Sequence, residues 1–130
     1  PPEYPATVTV HDLTVGGDGV RYHMTGPEGD RHGGYWRIVA VDAPRHLAFE
    51  DGFLRPDGTA NDEMPSMRGD VTIESDPSGG TSMIVVTSFP TVEAMEQLVA
   101  MGMVEGMVSA MGQIDDILAS DPSEAPTGQR

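Results

Sequence analysis

Residues 103–118, MVEGMVSAMGQIDDIL, decide the fold together with what precedes them. Met103, Met107, Ala110, Ile114 and Ile117 recur at steps of four and three, which brings them to one face of an α-helix. Back toward the amino terminus the period changes. Segments 81–89, 67–76, 46–53, 35–42, 19–25 and 7–13 are β-branched, aromatic or alternating, as half-buried strands are. A run of strands closed by one amphipathic helix predicts an α+β fold, a curved antiparallel sheet of about six strands wrapped around its long final helix. The helix is expected to lie across the concave face, to bury both apolar stripes and to leave a cavity between helix and sheet.

Turn residues separate the strands. Gly16-Gly17-Asp18-Gly19 carries the Asp-Gly hairpin signal, and Gly26-Pro27-Glu28-Gly29-Asp30 makes the next reversal. Gly33-Gly34 reads as the restart of the chain after that turn. Asp42-Ala43-Pro44-Arg45 and Asp76-Pro77-Ser78-Gly79-Gly80 close two further hairpins. Connections this short make neighbouring strands antiparallel. The longest polar connection, residues 54–65 (LRPDGTANDEMP), is either a mobile loop or part of a pocket rim.

Thr91 is placed to cap a short helix from Val92 to about Met101, with Glu93 and Glu96 near its positive end. Gly102 breaks it from the long helix. Gly106 and Gly112 inside the long helix each cost about 1 kcal/mol relative to alanine. Close helix–sheet approach is the expected reason for them, and room for a bound molecule is the alternative.

The 130 residues fit one domain. Residues 1–119 form it. From Ser120 onward the chain lacks any large apolar side chain and is expected to be a disordered tail, 120–130. A formal charge of −14 argues against nucleic acid and against an anionic membrane surface as partners. With no cysteine, disulfides, thiolate zinc sites and cysteine nucleophiles are excluded. No apolar run reaches the roughly 18 residues of a membrane span, and no signal segment opens the chain, so a cytoplasmic protein is the default expectation.

The stretch Tyr35-Trp36-Arg37-Ile38-Val39-Ala40-Val41-Asp42-Ala43-Pro44-Arg45-His46-Leu47-Ala48-Phe49 resembles the "strand, Pro, Arg, x, Leu, x, Phe" segment of proteins related to the activator of the heat-shock-protein-ninety ATPase. Gly79-Gly80-Thr81-Ser82-Met83 is similar to their next Gly-Gly-Thr strand. Met101-Gly102-Met103-Val104-Glu105-Gly106-Met107 is similar to the start of their closing helix. The resemblance runs from about Val8 to Leu118. It implies the helix-grip fold of the START-like (SRPBCC) superfamily, shared with the birch pollen allergen. It also implies a cavity under the long helix and, by analogy with one branch, a chaperone partner and a stress-response role. Members usually begin with a strand and two small helices that end near Trp-Trp-Gly-Pro, and Pro1-Pro2-Glu3-Tyr4 reads as the residues just after that element. Either the given sequence omits that element or the protein lacks it, and in the second case a bare sheet edge would favour a homodimer that completes the sheet.

The lining such a cavity would take is Tyr22, Met24, Trp36, Ile38, Phe49, Phe53, Met83, Val85, Met103, Met107 and Met111. Methionine is flexible and polarizable, which suits an adaptable apolar surface, and Tyr22 and Trp36 add polar handles. The same set also reads as ordinary core filling. No cofactor is implied. His11, His23, His32 and His46 lack metal-ligand spacing. Glu50 and Asp51 are adjacent in a strand and so point to opposite faces. They read as solvated or salt-bridged, yet one of them facing the cavity could act as a general acid or base. Three roles follow: a binding domain for an apolar or amphipathic small molecule, a protein-interaction domain, or a cyclase- or hydrolase-type enzyme using Glu50, Asp51 or Tyr22.

Overall fold

The computed structural model describes residues 2–120. Strands β1 (Ala6–Asp12), β2 (Gly19–Thr25), β3 (Arg31–Asp42), β4 (His46–Phe53), β5 (Met67–Ser75) and β6 (Thr81–Ser88) precede helices α1 (Val92–Ala100) and α2 (Met103–Ser120). The strands form one antiparallel meander in the order β1-β2-β3-β4-β5-β6. This is the helix-grip arrangement, a curved sheet followed by its long helix.

Register sorts the side chains into two faces, because alternate residues of a strand point oppositely and paired residues point alike. One face carries Val8, Val20, Tyr22, Trp36, Ile38, Phe49, Asp51, Phe53, Met67, Val71, Val85 and Met83. The other carries Arg21, His23, Arg37, Glu50, Arg68 and Asp70. Only the first is apolar enough to receive the helices, and it holds the buried Val20, Ile38 and Phe49. From α1, Ala94 and Leu98 join this core, Leu98 with only 2 % of its surface exposed. Thr91 caps α1 by accepting a hydrogen bond from the Ala94 amide at 3.0 Å.

Three sequence expectations are corrected. Strand β3 starts at Arg31, four residues before the segment at 35–42, so Gly33-Gly34 lies inside a strand. The pair is there for space: a Cβ on Gly33 would meet Leu54 at 3.0 Å, and one on Gly34 would meet the Tyr22 hydroxyl at 2.5 Å. Second, α2 does not bury its stripe. No residue of α2 is fully buried, Met107 is 39 % exposed and Ile117 62 %. Neither helix has a Cα within 8 Å of a strand Cα, so contact with the sheet is through side chains, and α1 supplies the buried ones, Ala94 and Leu98. Third, close packing does not explain Gly112, because a Cβ there would meet nothing within 4 Å. Helix α2 also runs through Ser120, and residues 121–130 of the expected tail lie outside the described residues.

Candidate functional site

On the apolar face, size alternates across the ladders. Gly34 stands opposite Tyr22 on β2 and Phe53 on β4, and Gly69 stands opposite Phe49. Each glycine leaves bare backbone over which a ring can lie. A Cβ at Gly69 would come within 2.5 Å of the Phe49 ring, as one at Gly34 would of the Tyr22 phenol. Phe49, laid down over Gly69, stacks on Trp36 with ring centroids 3.9 Å apart and planes 14° from parallel. Such a stack adds about 0.5–1.5 kcal/mol beyond the area it buries.

Among these rings stands one carboxyl. Asp51 pairs in register with Trp36 on β3 and Met67 on β5, and Phe49 and Phe53 flank it two residues away on β4. It keeps partial solvent access, yet the apolar packing raises its pKa to about 7. Desolvation is the cause, because burial disfavours the charged form. The Tyr22 hydroxyl works weakly in the opposite sense by hydrogen bonding to the carboxylate. In turn, burial and the Asp51 charge raise the Tyr22 phenol far above its ordinary value, so it stays protonated and remains a donor. The solvated reading of the Glu50–Asp51 pair therefore holds for one member only. Glu50 faces outward and pairs with Arg37, its register partner, whereas among the described residues no basic side chain pairs with Asp51.

The eleven side chains expected to line a cavity divide as follows. Tyr22, Met24, Trp36, Ile38, Phe49, Phe53, Met83 and Val85 share the apolar face. Ile38 and Phe49 are buried there, while Met83 at its margin is 42 % exposed. From α2, Met103 and Met111 are half-buried and Met107 is exposed. Residues missed in the sequence are Met67, beside Asp51, and an open cavity of about 480 Å³ at the sheet end, where the 54–65 loop folds back. Its walls include Thr9, His23, Arg31, Leu54, Arg55, Asn61 and Met64, together with Tyr22 and Phe53 of the expected set. The loop is therefore a rim. Arg21 donates to the Gly58 carbonyl at 3.0 Å and Arg55 to that of Ala60 at 3.0 Å. Asp51 does not line this cavity, and Tyr22 and Phe53 are the side chains common to both.

Other titratable groups have local roles. Asp12 accepts from the amides of Thr14 and Asp18 and shapes the β1–β2 connection. Asp70 accepts from Arg68 and pairs with His46, and its pKa is lowered mainly by the Arg68 bond. Among the described residues no three His, Cys, Asp or Glu side chains converge to hold a metal, and no helix is long and apolar enough to cross a membrane.

A family model described as "Activator of Hsp90 ATPase homolog 1-like protein" matches residues 3–119. Among solved structures, protein Ms6760 from Mycobacterium smegmatis is 41% identical, with a TM-score of 0.80 over 92% of this chain and 72% of its own. A protein from Arthrobacter aurescens is 36% identical, with a TM-score of 0.85 over 100% of this chain and 74% of its own. A protein from Staphylococcus epidermidis is 26% identical, with a TM-score of 0.76 over 93% of this chain and 72% of its own. No curated protein matches.

Proposed function

We propose that this chain, which belongs to the Activator of Hsp90 ATPase homolog 1-like family, binds an apolar or amphipathic small molecule on the apolar face of its sheet, beneath the helices. One observation carries the reading: on a sheet face lined by aromatic and methionine side chains, Tyr22, Trp36, Phe53 and Met67 are only half-buried, and α2 buries none of its own residues. A protein interior is close-packed, and apolar side chains left half-exposed beside a helix that buries none of its own residues are surface that a guest can cover. Methionines at Met24, Met67, Met103 and Met111 adapt to guests of different shape. Tyr22 and Asp51 supply the polar contact that orients a ligand in such a site.

The protein-interaction reading draws on a different observation. Val104, Val108 and Leu118, on one face of α2, are all more than half exposed, Val108 at 67 %. An apolar helix face of that kind suits a protein partner, which includes a second copy of this chain or a chaperone by family analogy. The two readings use different surfaces.

Native mass spectrometry of the purified protein separates them. Small-molecule binding predicts a reproducible added mass that leaves on denaturation. A bare monomer that takes up no added amphiphile counts against it, and a dimer or a captured protein favours the helix surface.

A further inference from the structure

We propose that the ligand is an amphipathic cation, an amine or quaternary ammonium whose charged head sits against Asp51 beside the Trp36–Phe49 stack. This rests on the reading of the apolar face as a ligand surface. The argument comes from how charge is sorted between the two faces. The strand arginines Arg21, Arg31, Arg37 and Arg68 all fall on the opposite face. So do the other strand carboxylates, Asp12, Asp42, Glu50, Asp70 and Glu74. Asp51 is the one strand carboxylate on the apolar face.

A partly buried carboxylate without a cation is poorly solvated, and a cationic head supplies the missing counter-charge. The rings beside Asp51 add to the preference, since the faces of Trp and Phe attract ammonium groups. The neighbouring Tyr22 phenol stays protonated and neutral, so it supplies no counter-charge. An anionic head would instead set a second negative charge against Asp51, in a chain whose formal charge is already −14.

The test uses probes of one chain length below their micelle concentrations: octyltrimethylammonium, octyl glucoside and octanoate. Emission of Trp36, the only tryptophan, reports binding. The expected result is a dissociation constant for the cation roughly tenfold or more below that of octyl glucoside, a preference worth about 1.4 kcal/mol. Octanoate binds weakest. Asp51→Asn abolishes the preference while octyl glucoside still binds. Glu50→Gln, which removes one charge from the opposite face, keeps the preference, so bulk attraction to an acidic protein is not its source. If octyl glucoside or octanoate binds as tightly as the cation, or Asp51→Asn keeps the preference, the cation proposal is overturned and the apolar surface stands. If none of the three binds, the ligand reading falls with it. The head-group series on the unaltered protein decides the matter even where Asp51→Asn does not fold.

Discussion

Tyr22 lies flat over Gly34, its register partner on the neighbouring strand, so closely that a Cβ at Gly34 would stand 2.5 Å from the phenolic oxygen. That bare backbone lets a β2 side chain reach across β3 to Asp51 on β4. Gly34→Ala is therefore expected to displace the Tyr22 ring and to cost about 1–3 kcal/mol, as overpacking does. Calorimetry should show the lower melting temperature, and the Tyr22 resonances should move with it.

The Trp36–Phe49 stack rests on Gly69 in the same way. Phe49→Ala removes a buried ring and is expected to cost about 3–5 kcal/mol. Denaturant titration measures the loss. Gly69→Ala keeps the ring but pushes it off β5, and a change in Trp36 emission with a smaller loss of stability is the expected signature.

Asp51 makes stability depend on pH. Its folded-state pKa of about 7 stands above the ordinary 3.8, so between those values the folded state holds a proton that the unfolded chain has released. The contribution is fully present below about 4 and is lost as pH rises through 7. Asp51→Asn, which has no such proton to lose, should gain on the unaltered protein over that window. The difference in melting temperature should widen from pH 4 to pH 7 and then level. A constant difference would mean that Asp51 titrates as an ordinary surface carboxylate.

In α2, Gly112 has open space around its missing Cβ. Gly112→Ala should therefore stabilise the protein by up to about 1 kcal/mol through helix propensity alone. Destabilisation measured by thermal melting would mean that the position is packed.

On the opposite face, the Arg37–Glu50 pair is solvent-exposed, with 67% and 41% of the side chains accessible. Arg37→Ala should change stability by no more than about 1 kcal/mol and leave ligand binding untouched. A loss of binding in this variant, measured by Trp36 emission, would place function on the wrong face of the sheet for this account.

Alternation made most of the fold legible in the sequence. Val20, Tyr22 and Met24 repeat at two, as do Trp36 and Ile38, and the pairing of the strands sets all five on one face. The start of β3 was hidden because Gly33-Gly34 has the composition of a turn, and only Leu54 and Tyr22, distant in sequence, explain it. The helical period of α2 was readable, but its burial was not, because periodicity reports which residues share a face and not how far that face stands from a sheet. The opposite directions of Glu50 and Asp51 followed from their adjacency. That no strand arginine shares the face of Asp51 depended on the register of all four. The 54–65 segment was readable as a mobile loop or a pocket rim, but where it folds was not, since Arg21 holds the Gly58 carbonyl from 37 residues away.

The nine methionines offer the most direct test of where a ligand sits. With ¹³C-labelled methionine methyl groups, NMR spectra can be followed as octyltrimethylammonium or octyl glucoside is added. The account predicts saturable shifts at Met67, which pairs with Asp51, and at Met24 and Met103, with little change at the exposed Met95 and Met101 of the α1 region. Shifts confined to Met64 on the loop cavity, or none at Met67 at saturation, would contradict it.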